Sequence, residues 1–228
     1  MADSQRLKSV PEGIQLVSEV AAVLARRHEG RTHVLEITTY FPMDVASIGR
    51  ILEELEAIDG VNRVQDDGIC YHEIEKPDLF SLREIDIEKQ EQLVEAPAFM
   101  RAVSTLKKDE DWVKMVREQH EILHIAAGAK HRSVELSYLT SRTEIPSAKV
   151  QSILNDFGAE GHIRIQIDED SDSLVYTFPE MLYPKQRFQN NLQILEEVQA
   201  QPPVRISLWI FVAVSAIILL AIVILFRL

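Results

Sequence analysis

The chain has 228 residues, 46% of them hydrophobic and 26% charged, and a formal net charge of -12. That length holds about two small domains or one of medium size, and an acidic surface repels phosphate backbones, so nucleic acid is an unfavourable partner. The one cysteine, Cys70, excludes an intramolecular disulfide and fits a reducing compartment such as the cytosol.

The opening MADSQRLKSVPEGIQ is polar and has no apolar signal-peptide core. IQLVSEVAAVLARRHEG then reads as an amphipathic helix, and THVLEITTYFPMDVASIGRILEELEAIDG as a strand with helical segments. VNRVQDDGICYHEIE reads as a hairpin turning at Asp67-Gly68, with Cys70 as a small, half-buried residue in it. These pieces make a first unit over 1–80. The charged stretch 81–110, with scattered apolar residues, reads as a helical linker.

A second unit over 111–180 repeats the order. DEDWVKMVREQHEILHIAAGA is a helix, and SVELSYLTSRTEI an extended piece followed by a short helix. PSAKVQSILNDFGAEG is a third helix, with Pro146 at its start and Gly158 and Gly161 near its stop. HIRIQIDEDSDSLVYTFPE alternates as two strands, Ile163, Ile165 and Ile167 on one and Leu174, Tyr176 and Phe178 on the other, around an acidic turn. Leu35 and Leu136, Ile51-Leu52 and Ile153-Leu154, and Gly60 and Gly161 fall at corresponding places.

The stretch LSYLTSRTEIPSAKVQSILNDFGAEGHIRI, ordered helix, tight turn, helix, glycine, hairpin, resembles the winged-helix superfamily. The resemblance implies an α+β fold of two winged-helix-like units, each of three helices and a hairpin. It also implies a choice between DNA binding and protein interaction. The third helices offer Lys149, Gln151 and Asn155 offset by Asp156, and Arg50 against Asp44, Glu53, Glu54 and Glu56. With a wing tip reading DEDSD, that is a poor phosphate-binding surface. Two small basic groups, Arg26-Arg27-His28 with Arg31 and Lys130-His131-Arg132 with Arg142, suit solvated helix ends.

His120-Glu121-Ile122-Leu123-His124 matches H-E-x-x-H, the zinc-peptidase pattern in which two histidines bind metal and the glutamate acts as base. On a helical wheel Trp112, Met115, Val116, Gln119, Leu123 and Ala126 form the core stripe. His120, Glu121 and His124 then look outward together. Glu144 stands where thermolysin-like peptidases carry a third ligand, but TEIPSA departs from their Asn-Glu-x-x-Ser-Asp pattern and Pro146 interrupts the helix. Chance alone gives the pattern in a chain of this composition with a probability of about 0.02. The reading is therefore two boundary histidines and no metal. There is no G-x-G-x-x-G, P-loop or nucleophile–base set, so neither a cofactor nor an enzyme is expected.

In 181–205 the spacing of Phe188, Leu192, Leu195 and Val198 predicts a short juxtamembrane helix and a candidate homo-oligomer seam, ended by Pro202-Pro203. Residues 206–226 carry no charge. At about 1.5 Å per residue they reach about 31 Å, the thickness of a bilayer core. Arg205 and Arg227 bracket the run, Trp209 sits near one interface and Phe226 ends it. With Lys185, Arg187 and Arg205 before it, the expectation is a single-pass tail anchor with the folded bulk in the cytoplasm. The functional expectation is a non-enzymatic adaptor that binds a protein partner at the membrane surface. A membrane-tethered transcription regulator is the alternative and a zinc peptidase the third reading.

Overall fold

The computed structural model describes residues 12–57, 60–77, 110–169 and 172–182, together with 191, 193, 194 and 196. The linker 81–110, save Glu110, lies outside the described residues. So do Phe188, Leu192, Leu195 and Val198, the run 206–226, and its markers Arg205, Trp209, Phe226 and Arg227. No helix among the described residues is long and apolar enough to cross a membrane.

Among the described residues the fold is α+β, with six helices and two small antiparallel sheets. The first half runs α1 (Glu12–Arg27), β1 (Arg31–Thr32), α2 (Val34–Thr38), α3 (Val45–Glu56), β2 (Val61–Asp66) and β3 (Ile69–Ile74). The second runs α4 (Glu110–Ala127), a 3-10 turn (Lys130–Arg132), β4 (Ser133–Glu135), α5 (Leu136–Thr140), α6 (Ser147–Ala159), β5 (Arg164–Asp168) and β6 (Ser173–Thr177). Strand order is the same in both sheets: β1-β3-β2 and β4-β6-β5.

Local chemistry explains the boundaries. α2 begins where His33 Nδ1 accepts from Leu35 N at 3.1 Å, and α3 where Asp44 Oδ1 accepts from Ser47 N at 2.8 Å. Asp67 and Gly68 both take positive φ, 48° and 79°, as a two-residue hairpin turn between right-twisted strands requires.

The register aligns the two sheets. His72 lies opposite Thr32 on one side and Arg63 on the other; Tyr176 lies opposite Val134 and Ile165 in the same way. Val61 and Ile74 thus correspond to Ile163 and Phe178, all buried in the core. Towards the tips, Arg63, Gln65 and Cys70 correspond to Ile165, Ile167 and Leu174. Gly60 is followed directly by Val61, whereas His162 intervenes between Gly161 and Ile163. One apolar cluster joins both halves, from Leu16, Val20 and Leu24 through Leu52 and Leu154 to Phe157 and Leu182.

The helix carrying HEILH corrects the sequence reading. Val113, Val116, His120, Leu123 and Ala127 bury one face of α4; Glu118, Ile122 and Ala126 bury nearly the opposite one. The helix has protein on two sides, so a single stripe misplaces His120. It is 3% exposed and turned inward, while His124 is exposed.

Candidate functional site

His120 joins the halves. Its Nε2 lies 2.9 Å from Met43 O and its Nδ1 3.4 Å from Asn191 Nδ2, so Nε2–H donates to the carbonyl while Nδ1 accepts from the amide. Burial pushes its pKa down to about 4, against a smaller upward pull from Met43 O and Asp44. The other members of the peptidase reading are elsewhere engaged or outward-facing. Glu121 Oε1 accepts from Thr143 Oγ1 at 2.6 Å, and Glu144 is exposed. Among the described residues no three His, Cys, Asp or Glu side chains are placed to hold a metal ion.

Around His120 the contact is polar and ordered. Trp112 Nε1 donates to Asp44 Oδ2 at 2.9 Å, and Val45 N donates to Gln119 Oε1 at 3.0 Å, so α4 covers the start of α3. Buried Asn191 donates to Thr39 O at 3.1 Å, which sets this residue against the first half. This part of 181–205 is thereby part of the fold.

The second region where the halves meet is the first hairpin. Cys70 N donates to Gly161 O at 2.8 Å, Arg63 Nη2 donates to Glu160 O at 3.0 Å, and Arg164 pairs with Asp67. Gly161, at φ 76°, is required: a Cβ there would lie 2.7 Å from Cys70 Sγ. A cavity of about 290 Å³ remains, walled by Ala46, Gly49 and Arg50 of α3, by Cys70 and His72, and by His162.

Three buried histidines sit together here. The His33 ring packs edge-on at 6.0 Å from that of His162 and 5.3 Å from Tyr71. His72 Nε2 lies 3.0 Å from Glu56 Oε1, leaving Nδ1 unpartnered. His162 Nε2 lies 2.9 Å from Glu160 Oε2 without hydrogen-bond alignment, and its Nδ1 also lacks a partner. Burial lowers all three pKa values, His33 well below the ordinary value and His162 to about 4. Neighbouring imidazoles push His33 down further, Arg63 and His72 do so for His162, and Glu56 partly offsets the fall at His72. Burial favours the neutral form of all three, and the edge-on contact of His33 with His162 joins the two halves. Sequence reasoning missed them, because THVL, YHEI and GHIR share no spacing.

The corresponding face of the second hairpin is exposed towards its tip, with Tyr176 buried and Ile165 lying partly over Gly158 of α6. Ile165 is 38% exposed, Leu174 40% and Ile167 65%, and these are the large exposed apolar side chains among the described residues. Asp168 is half-buried and Glu169 and Asp172 are exposed beside them. No family model matches this chain, and no curated protein matches it. Three of the cations that might have met phosphates are turned to acids or a ring. Arg31 pairs with Asp66 at 2.8 Å and Glu73 at 3.0 Å, Lys149 lies 4.0 Å from Glu118, and Arg142 stacks 3.8 Å over Tyr138.

Proposed function

We propose that this chain is a non-enzymatic adaptor, built from two winged-helix-like units and held at a bilayer by residues 206–226, that binds a protein partner on the cytosolic face. The observation that carries this is the exposed apolar set Ile165, Ile167 and Leu174, on a hairpin whose counterpart meets the end of α6 at Cys70 and Arg63. Exposed apolar patches bordered by charge mark interaction surfaces. The neutralised cations and the acidic tip favour protein over nucleic acid.

The test uses the full chain. Alkaline extraction of membranes should leave it in the pellet, and a version ending at 205 should be released. Chemical cross-linking on the same membranes should join it to another protein, and titration with random duplex DNA should give no salt-sensitive complex. Release of the intact chain would refute the anchor. DNA binding that weakens steeply with salt would make the protein a regulator instead.

A further inference from the structure

We infer that the open face of the second hairpin docks a segment of another protein that repeats the contact made inside this molecule: a helix end turning at a glycine, apolar against Ile165, Ile167 and Leu174, with Lys or Arg facing the acidic tip. This rests on the adaptor reading and specifies its partner.

The internal contact supplies the template. In the first half the end of α6 and the turn after it meet the hairpin at half-buried Cys70, at the exposed Arg63 guanidinium and at the Asp67 turn. Three features hold that contact: the Gly161 carbonyl on the Cys70 amide, the Glu160 carbonyl on Arg63, and the Arg164 cation on the Asp67 turn. The second hairpin presents the same backbone face, with Leu174 where Cys70 stands and Ile165 where Arg63 stands. Its turn carries Asp168, Glu169 and Asp172, a stronger demand for the cation that Arg164 supplies inside. The side chains have changed from polar to apolar. That change suits a contact made after folding, because apolar burial drives association between separate molecules.

Charge and register choose the occupant. A second copy would offer the turn after its own α3. There Asn62 replaces Arg164, no residue corresponds to His162, and α3 ends with Glu53, Glu54 and Glu56. Those acids would face an acidic tip, and like charges repel. An anionic lipid surface is repelled for the same reason.

The experiment places a photo-cross-linking amino acid at Ile167 in the full chain, illuminates its own membranes, and sequences the attached peptide. The result expected is a peptide of a different protein, net basic within a few residues of the attachment. Capture should fall about tenfold when Asp168→Lys and Glu169→Lys are combined, and similarly in 0.5 M salt, where screening acts within about 4 Å. Attachment to a second copy, to lipid or to an acidic peptide overturns the inference, as does capture indifferent to the charge reversal. A second probe at exposed Gln151 on α6 separates the two levels. Capture there with silence at Ile167 ends the docking inference and leaves the adaptor. Silence at both positions ends both.

Discussion

The two hairpins share strand order, register and core residues, yet their outer faces have opposite chemistry. On the first, His72 is buried, Cys70 half-buried and Arg63 exposed with its guanidinium on Glu160 O; on the second, Tyr176 is buried in the place of His72, and Ile165, Ile167 and Leu174 are apolar and exposed. A covered face assembled within one chain tolerates polar groups, because the cover arrives with folding and brings backbone carbonyls to the Cys70 amide and the Arg63 guanidinium. The cost is a set of buried imidazoles whose charged forms burial disfavours. The open face carries no such group among its exposed side chains.

Acid should break the comparison most. His120 and His162 have folded pKa values of about 4 against an ordinary 6.5, and those of His33 and His72 are also lowered. A histidine whose folded pKa is depressed stabilises fully above its unfolded value. That contribution is lost as pH falls from 6.5 to 4, and nothing further is lost below. Each of the two large shifts amounts to about 3 kcal/mol across that window, together comparable to the whole stability of a domain. Glu56 beside His72 softens the loss there; Arg63 deepens it at both His72 and His162. Urea midpoints between pH 7.5 and 4 should fall steeply, and His162→Gln should flatten the slope. A midpoint unchanged down to pH 5 would contradict the neutral-histidine seam.

Much of what separates the hairpins was not legible from the residues. Elements with local signals were: the Asp67-Gly68 turn, the paired glycines Gly60 and Gly161, the strand-to-helix step at Ser133–Glu135 and Leu136–Thr140, and α6 after Pro146. Each depends on a few neighbouring residues. His120 was read as outward because a wheel assumes one buried face, and its partner Met43 O lies 77 residues away. The alternation of Ile163, Ile165 and Ile167 marks a strand correctly. Where the core ends along that strand is a tertiary fact: Ile163 is inside it and Ile167 beyond it.

Glycine replacement compares the faces directly. Gly161→Ala places a methyl against Cys70 Sγ at a left-handed φ of 76°, and should cost about 2–3 kcal/mol. Cys70→Gly should restore part of that and leave the backbone strain. Gly158→Ala looks worse by distance, since its Cβ would lie 2.4 Å from Ile165 Cδ1. That atom is the end of a flexible, partly exposed side chain free to rotate away, and alanine favours the helix by up to about 1 kcal/mol. The covered site should therefore lose far more stability than the open one in parallel denaturant titrations. Equal losses would mean that Ile165 is fixed by its surroundings.

A hydrogen bond across the contact comes next. Arg63→Ala removes the bond to Glu160 O at an exposed edge, for about 1 kcal/mol. Its loss should also raise the pKa of His162, because Arg63 heads the charges that depress it. The His162 imidazole resonance, followed against pH, should therefore move to a higher midpoint while the urea midpoint shifts only slightly.

The smallest effect on stability is expected at the most exposed apolar residue. Ile167→Asp removes a side chain that is 65% exposed and opposite Leu174, so folding should change by less than about 0.5 kcal/mol. The same substitution at the corresponding place in the first half, Gln65→Asp, acts on an exposed polar position and should be equally mild. The two variants differ in what they do to a partner. Only the isoleucine presents apolar area to another molecule, so only Ile167→Asp should abolish capture by a probe at Gln151. Loss of capture in both would place the partner across the two hairpins together rather than on the second alone.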